Sequence, residues 1–411
     1  MNLNYECLNK LCEKYGNAFY LLDSEQFVKN YNELKSAFSE IYPQFNIAYS
    51  YKTNYTPKFC KIIDSLGGFA EVVSDMELEI ALKIGVSPKH IIWNGPYKNP
   101  VKFRELLLAG GTVNLDSWYD LSVIKEIVKS ETKAPLNVGI RCNADIGDGV
   151  LSRFGFDVCS DEFKNAIEFL KSTPNINLVN IQCHFACRRL DTWRPRAEMM
   201  LDLLDKFDIA PERIDIGGGL YGKMSDDLKA QFDAYIPEYR EYAESAATLF
   251  AERFADSAYK PLLLIEPGTA LVGDCMKFVS RVTDIKSVRG HAIATLLGSM
   301  YNINPTLNKK NPPISVYHGE NPTQNYSDID LAGYTCIESD YLYRGFNGDL
   351  AVGDLVVFDN VGSYSVVLKP PFILPNFPIL DICGDKTVVE KRGEVFEDLF
   401  HTFNFHENDE S

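Results

Sequence analysis

A lysine directly after an apolar segment is the residue of this sequence most suited to covalent chemistry. Residues 45–51 (FNIAYSY) predict a buried strand, and Lys52 follows it, before a helical pattern that begins near Pro57. Barrel and sheet enzymes place their chemistry at the carboxyl ends of such strands. Burial there lowers the pKa of a lysine, whose neutral amine then forms imines with carbonyl compounds. The alternative is a structural lysine that reaches the solvent from a strand end.

Three other groups end or follow predicted strands. His184 ends the segment 178–184, Gly217, Gly218 and Gly219 follow the segment 213–216, and Glu266 follows the segment 262–265. Consecutive glycines let the backbone approach an anion and direct N–H groups at it, although a tight turn is the alternative. In a barrel, the loops after the seventh and eighth strands are the usual phosphate position.

An imine-forming lysine and a phosphate cradle on one face predict pyridoxal 5'-phosphate as the cofactor. Glu266 would hold the proton on the pyridine nitrogen, so that the ring remains an effective electron sink. His184 could lie against the ring, although such a histidine is more often a packed polar core residue. Cys183 and Cys187 flank this histidine, but the sequence has no second ligand pair of zinc-like spacing, so we expect no metal.

The elements that must position these residues alternate in a regular way. Eight short apolar segments are separated by helical patterns over roughly 220 residues. The segments are 45–51, 69–73, 90–93, 112–115, 136–141, 178–184, 213–216 and 262–265. This alternation predicts an α/β fold of the (β/α)8 barrel type, with a doubly wound sheet as the alternative.

After about Val272 the pattern changes. Short β-rich segments broken by glycine and proline predict an antiparallel β domain at 278–282, 292–297, 314–316, 355–358 and 366–368. A strand-like segment at 18–22 is assigned to the same domain. The predicted organisation is an N-terminal segment at 1–25, the barrel at 26–272, the β domain at 273–395 and an acidic tail at 396–411.

Composition excludes several classes of partner. The 411 residues carry a net charge of −16, which argues against nucleic acid and anionic membranes. The N-terminus lacks the pattern of a signal peptide, and no apolar stretch reaches the ~20 residues of a membrane span. Ten cysteines without regular spacing predict reduced thiols and a cytoplasmic protein.

Six motifs, in chain order, resemble those of the fold-type III pyridoxal-phosphate decarboxylases. This family includes diaminopimelate and ornithine decarboxylases and shares its barrel with alanine racemase. The motifs are 49–54 (YSYKTN), 183–187 (CHFAC), 214–219 (IDIGGG), 266–268 (EPG), 336–340 (CIESD) and 361–365 (VGSYS). The resemblance covers roughly residues 15 to 385.

The resemblance implies roles for residues of both predicted domains. In the barrel it implies that Lys52 carries the cofactor, His184 stacks on it, and the glycine loop and Gly268 help to hold it.

In the β domain the resemblance implies that Tyr364 touches the cofactor phosphate. It also implies that Cys336 donates a proton in the active site of a partner subunit. Glu338 or Asp340 would bind a substrate amine beside it. A homodimer with shared active sites is therefore expected, since closed two-fold dimers are also the commonest oligomers.

Three departures from the family motifs bear on the substrate. Thr269 stands where the family has an arginine that contacts phosphate or substrate carboxylate, Asn304 stands where diaminopimelate decarboxylases have an arginine, and Cys187 replaces a serine. Loss of guanidinium groups removes bidentate carboxylate recognition. This argues against meso-diaminopimelate, and the similarity of 266–270 (EPGTA) to the EPGEA of carboxynorspermidine decarboxylases favours another amine-bearing substrate.

The expected function is the decarboxylation of an amino acid. One alternative is an amino-acid racemase, which needs a second base on the opposite face of the ring, whereas the cysteine motif favours decarboxylation. The other alternative is a non-catalytic protein that binds pyridoxal phosphate, because a fold does not by itself determine function.

Overall fold

The computed structural model describes residues 3–131, 133–303, 310–383 and 386–404, and these form two compact units. The barrel unit comprises Phe27–Gly222 and Asp233–Leu271. The β unit comprises the described parts of Met1–Gln26, Lys223–Phe232 and Val272–Ser411. Asn304, one of the departures from the family motifs, lies outside the described residues.

Eight parallel strands form the closed ring of the barrel unit. In ring order they are Phe45–Ser50, Phe69–Val72, Ile91–Trp93, Thr112–Leu115, Leu136–Asn143, Ile176–Gln182, Arg213–Asp215 and Leu262–Ile265. Pairing of the first strand with the eighth closes the ring. The predicted (β/α)8 barrel is confirmed, and the doubly wound sheet is excluded because that sheet would stay open.

Helices connect successive strands. They span Ser24–Ser39, Pro57–Ser65, Asp75–Lys83, Pro100–Leu108, Trp118–Ser130, Asp161–Ser172, Trp193–Phe207, Tyr239–Arg253 and Thr269–Val272. Each long helix buries one face: Asp161–Ser172, for example, buries Phe163, Ala166, Ile167 and Leu170 at helical spacing. Strands such as Thr112–Leu115 are buried along their whole length, because helices cover one side and the barrel interior the other.

Two of the predicted strand ends that differ from the observed ones concern site residues. The first strand ends at Ser50, and Lys52 lies in the 3-10 turn Tyr51–Thr53. The sixth strand is Ile176–Gln182, so His184 lies two residues beyond it. Both residues therefore stand on loops at the carboxyl end of the barrel, where side chains can turn toward its opening.

The β unit is a mostly antiparallel sheet. Its strands are Ala18–Leu22, Met276–Val288, His291–Leu296, Ile314–Tyr317, Gln324–Ala332, Tyr341–Leu350, Leu355–Phe358, Ile379–Cys383 and Lys386–Lys391. Its helices are Tyr5–Tyr15, Asp226–Lys229, Met300–Ile303 and Phe396–Phe400. Ala18–Leu22 pairs with Met276–Val288, as a strand inserted from the N-terminus.

The C-terminal region contains a predicted strand at 366–368 and a predicted acidic tail at 396–411. The predicted strand at 366–368 is wrong, since these residues form turns and bends; three apolar residues are too few to distinguish a strand from a buried turn. In the predicted acidic tail, Phe396–Phe400 is helical and residues 405–411 lie outside the described part.

None of the described helices combines the length and the apolar character that a membrane crossing needs.

Candidate active site

Lys52 is held by a hydroxyl and a carboxylate. Its Nζ donates to Ser50 Oγ and to Glu71 Oε2, both at 2.7 Å. Glu71 comes from the second barrel strand and is buried, whereas the Lys52 side chain is 30% exposed. The expectation that burial makes the neutral amine available stays a prediction, and the side chain is only partly buried. A neighbouring carboxylate favours the ammonium form of a lysine, and it can accept the proton when the amine becomes a nucleophile.

Glu71 stays ionised in the barrel interior because of this pairing. Burial raises the pKa of its carboxyl group, but the charge of Lys52 and hydrogen bonds from Lys52, Ser50 and Asn94 outweigh it and lower the pKa below its ordinary value. The negative charge beside Lys52 is thus a fixed feature of the site at neutral pH.

An amide network links Glu71 to a second acid, Glu266, at the end of the eighth strand. Asn94 Nδ2 donates to Glu71 Oε1 at 3.0 Å and to Glu266 Oε1 at 2.5 Å. Asn114 Nδ2 donates to Asn94 Oδ1 at 2.7 Å, which orients the amide. Gln182 Nε2 lies 3.2 Å from both carboxyl oxygens of Glu266. These side chains lie on or directly after the second, third, fourth and sixth strands, and they hold Glu266 in one orientation.

Glu266 shares its surroundings with another buried acid, Asp215. Asp215 Oδ1 accepts from Gly217 N–H at 2.9 Å. Burial raises the pKa of Asp215 to about 7, although the hydrogen bond from Gly217 opposes this shift. Burial and the negative charges of Asp215 and Glu71 raise the pKa of Glu266 well above its ordinary value. Glu266 therefore holds a proton more tightly than an ordinary glutamic acid does, which suits it to exchange a proton with a ring nitrogen.

His184 is neutral in this site. Its Nδ1 accepts from Gly218 N–H at 2.9 Å, which leaves the proton on Nε2, and Nδ1 lies 3.9 Å from Glu266 Oε2. Desolvation and the charges of Lys52, Arg141 and Arg196 lower its pKa well below the usual value. Its ring is 25% exposed, so one part of it can meet a ligand.

The glycine loop approaches its neighbours too closely for side chains. Gly217 and Gly219 have φ of +72° and +90°. A Cβ on Gly218 would lie 2.5 Å from Glu266 O, and one on Gly219 would lie 2.7 Å from Cys187 O. Gly217 and Gly218 donate to protein acceptors, whereas Gly219 N–H meets no acceptor among the described residues. The loop is thus a cradle with a donor left for a ligand.

Arg196, which was not predicted from the sequence, stabilises the glycine loop through hydrogen bonds to backbone carbonyl groups. It is fully buried on the helix Trp193–Phe207 and donates to Gly218 O at 2.7 Å, Cys187 O at 3.3 Å and Ile216 O at 3.4 Å. Burial lowers its pKa to about 10, so it remains charged. A signal was present, because position 196 falls on the helix face that also carries Trp193 and Met200.

Other missed residues are polar positions within apolar strands. Arg141 Nη1 pairs with Asp116 Oδ1 at 3.1 Å, and its Nη2 lies 3.5 Å from His184 O. Glu71, Asn94 and the residues that contact them interrupt buried strands in the same way. A polar residue inside a predicted buried strand is the signal that could have identified them.

The motif 266–269 completes the barrel site. A Cβ on Gly268 would overlap the hydroxyl group of Thr53, so only glycine fits there. Thr269 presents its hydroxyl to Arg188, whose Nη2 lies 3.5 Å from Thr269 Oγ1. The structure therefore gathers Lys52, the glycine loop, His184, Glu266 and Gly268 within the barrel unit.

The four remaining predicted site residues belong to the β unit. Cys336 and Glu338 are exposed. Asp340 is only 3% exposed and accepts from Ser299 Oγ at 2.9 Å, Met300 N–H at 2.8 Å and Thr335 Oγ1 at 2.6 Å. These bonds occupy Asp340 in organising its own loop.

Tyr364 has a φ of +65°, which is uncommon for a residue with a side chain. Its backbone is thus held in a conformation that glycine would adopt more easily. Such outliers persist only where the surrounding structure requires them, and they occur often at ligand sites.

Comparison with known proteins relates this chain to one enzyme family. Residues 25–273 match the family described as pyridoxal-dependent decarboxylase, pyridoxal binding domain. The diaminopimelate decarboxylase of Methanocaldococcus jannaschii is 26% identical, over 95% of this chain and 92% of that protein. A probable chloroplastic diaminopimelate decarboxylase of Oryza sativa subsp. japonica is 28% identical, over 94% and 79%. A crystal structure of diaminopimelate decarboxylase from M. jannaschii superposes with a TM-score of 0.86 at 24% identity, over 97% and 94% of the two chains, which shows a common fold.

Proposed function

This chain belongs to the pyridoxal-dependent decarboxylases, and we propose that Lys52 and the polar side chains around it carry the reaction. The family makes it an amino-acid decarboxylase with pyridoxal 5'-phosphate as its cofactor. The residues present fit that group, since a glycine cradle with a spare N–H, a reactive amine and a protonated buried acid lie in one unit. When bound, the cofactor supplies an electron sink for the electrons of the broken Cα–carboxylate bond.

Lys52 is proposed as the residue that binds the cofactor covalently. The observation that carries this role is its amine, which is partly exposed and fixed at 2.7 Å from both Ser50 Oγ and Glu71 Oε2. Glu71 can take the ammonium proton as the amine becomes a nucleophile, and can return it when Lys52 leaves. Because Asn94 holds the other oxygen of Glu71, the carboxylate stays aimed at Lys52.

Glu266 is proposed to hold a proton toward the pyridine nitrogen. Asn94 and Gln182 fix its carboxyl group, and its raised pKa keeps the proton available at neutral pH. Neutral His184 would lie against the ring, since an uncharged imidazole adds no positive charge beside a protonated ring. The glycine loop and Gly268 would hold the phosphate end.

The β-unit residues are proposed to act across a homodimer. Cys336 of each subunit would return a proton to the substrate carbon in the active site of the other, and its exposed position suits such a role. Exposed Glu338 is the better of the two acids for a substrate amine, because Asp340 already accepts hydrogen bonds from Ser299, Met300 and Thr335. Tyr364 would contact the cofactor phosphate.

The substrate is proposed to be an amino acid other than meso-diaminopimelate, with an amine at its distal end. Support comes from Thr269, a neutral hydroxyl where the family motif has a guanidinium group. The curated relatives named above are diaminopimelate decarboxylases, so that substrate is the necessary comparison in any assay. A cytoplasmic location is proposed as well, because nine described cysteines are free thiols.

The decisive experiment combines a spectrum with a substrate panel. We expect the purified protein to show the visible absorption band of lysine-bound cofactor, and Lys52→Ala to lose it. Carbon dioxide release is then measured over L- and D-amino acids, amine conjugates and meso-diaminopimelate. A band retained in Lys52→Ala would contradict the assignment of Lys52. Exchange of the α-hydrogen with solvent deuterium without carbon dioxide release would indicate racemisation, and binding without any turnover would indicate a non-catalytic protein.

A further inference from the structure

The phosphate cradle needs a positive charge that its glycines cannot supply. The chain has a net charge of −16, so the field of the whole protein does not favour a phosphate dianion. Backbone N–H groups contribute only partial charges. A local cation near residues 217–219 is therefore needed.

The other cations around the loop are already engaged. The guanidinium group of Arg196 donates to four backbone carbonyls, those of Thr192, Ile216, Gly218 and Cys187. Arg141 pairs with Asp116, and Lys52 pairs with Glu71. Each of these charges is balanced or directed away from the cradle.

Arg188 differs from them. Among the described residues, its guanidinium group meets only neutral partners: Thr269 Oγ1 at a long 3.5 Å and the ring of Tyr221, whose centroid is 5.4 Å away. A guanidinium group has five donors, so most of its capacity is unused. Its side chain is half-buried, where a charge-assisted hydrogen bond is stronger than on an open surface.

The backbone of Arg188 is fixed beside the cradle. Arg188 O accepts from Tyr242 OH at 2.6 Å, and Tyr242 OH also accepts from Tyr221 N–H at 3.4 Å. The preceding residue, Cys187, has its carbonyl against Gly219 and bonded to Arg196. The base of the side chain is thus held in place while its tip has few contacts.

We propose that Arg188 binds the phosphate of the cofactor and supplies the charge that the glycine loop lacks. This inference rests on the proposed function of the barrel site. It also gives Thr269 a reason: its small hydroxyl leaves room for a guanidinium group that arrives from position 188. An arginine at 269 and one at 188 would place their tips in the same region.

The test compares Arg188→Gln with Arg189→Gln. Arg189 is the adjacent arginine, half-exposed and paired with Asp191 at 3.0 Å, so its loss controls for a general loss of charge. Affinities for pyridoxal 5'-phosphate and for pyridoxal, which lacks the phosphate, are measured by absorbance titration of cofactor-free protein. We expect Arg188→Gln to weaken binding of the phosphorylated form roughly 10- to 100-fold, with pyridoxal binding and the Arg189→Gln variant unchanged.

A rescue variant guards against a folding defect. Arg188→Gln combined with Thr269→Arg should regain at least half of the lost affinity on the logarithmic scale, because it returns a guanidinium group to the same place. Equal weakening of both cofactor forms, or unchanged cofactor affinity with a raised KM, would overturn the proposal; the second result would assign Arg188 to the substrate carboxylate. Wild-type protein that binds neither form would instead overturn the proposed function.

Discussion

At the scale of single residues, Glu266 owes its properties to the acids buried beside it. Asp215 and Glu71 lie in the same interior, and burial together with their negative charges outweighs the opposing charges of Lys52 and Arg141 on the pKa of Glu266. Because burial and mutual repulsion outweigh the nearby cations, Glu266 and Asp215 cannot both ionise cheaply, so the pair retains a proton. Because the groups interact strongly, the proton belongs to the pair rather than to one residue.

The variant Glu266→Gln tests whether proton exchange by Glu266 contributes to the reaction. Glutamine keeps the size and hydrogen-bonding shape of the side chain but cannot exchange a proton, so cofactor binding should persist while kcat falls roughly 10²- to 10⁴-fold. Steady-state carbon dioxide release and the visible spectrum measure the two effects. Glu198→Gln, an exposed position paired with Arg194, is the matched control. A kcat close to that of the wild type would remove Glu266 from the mechanism.

Asp215 predicts a pH dependence of stability. Its pKa is raised to about 7 in the folded protein, so the folded state binds this proton more tightly than the unfolded state does. The resulting stability is complete below the unfolded pKa, near 4, and is lost as pH rises toward 7. Asp215→Asn removes that loss and keeps the acceptor for Gly217 N–H.

Urea unfolding of cofactor-free protein measures this effect. Between pH 5 and pH 8, the free energy of unfolding of the wild type should fall by about 3 kcal/mol relative to Asp215→Asn, at about 1.4 kcal/mol for each of the two pH units between pH 5 and the folded pKa. Parallel pH curves for the two proteins would show that Asp215 is already ionised at pH 5 or is not buried as described.

At the scale of elements, the glycine loop is specified by its neighbours. It is pressed between the sixth-strand loop and the start of the 266–269 motif, and Arg196 holds its carbonyls. Close approach without side chains is the condition for peptide N–H groups to reach a phosphate.

Gly218→Ala should therefore damage the cradle. Its Cβ would lie 2.5 Å from Glu266 O, which is backbone and cannot move aside cheaply. Overpacking of this kind costs about 1–3 kcal/mol, and we expect a matching loss in thermal stability together with weaker cofactor binding. Gly393→Ala is the control, because a Cβ there has its nearest contact at 3.5 Å. Unchanged melting and unchanged cofactor affinity in Gly218→Ala would contradict the close approach.

At the scale of the whole molecule, the proposed homodimer makes each site depend on two chains. Lys52→Ala and Cys336→Ala subunits should each be inactive alone. After subunit exchange, mixed dimers contain one site with both residues intact, so activity should return to at most roughly a quarter of wild type on statistical mixing. Activity is measured before and after exchange, and exchange itself by mass spectrometry of differently tagged subunits. Proven exchange without recovery would mean that one chain supplies both residues, or that Cys336 is not catalytic.

Local sequence patterns were sufficient to predict much of the fold and several residues of the candidate site. The eight barrel strands, the change to a β domain after about Val272, and the identity of Lys52 and the glycine loop as candidates all follow from alternation and from residue types at strand ends. These features are readable because hydrophobic periodicity and glycine use are imposed within a few residues along the chain.

Which charged and polar side chains meet in the site was decided by the tertiary structure alone. Glu71 reaches Lys52 through pairing of the first two strands, whereas Glu266 and Asp215 reach the same interior only because the barrel closes. The surroundings of Lys52 are an example, since its ammonium group meets a carboxylate from the next strand. Long-range contacts set which charges are buried, which are paired and which, like Arg188, are left with capacity to bind, because these depend on distances that no local pattern contains.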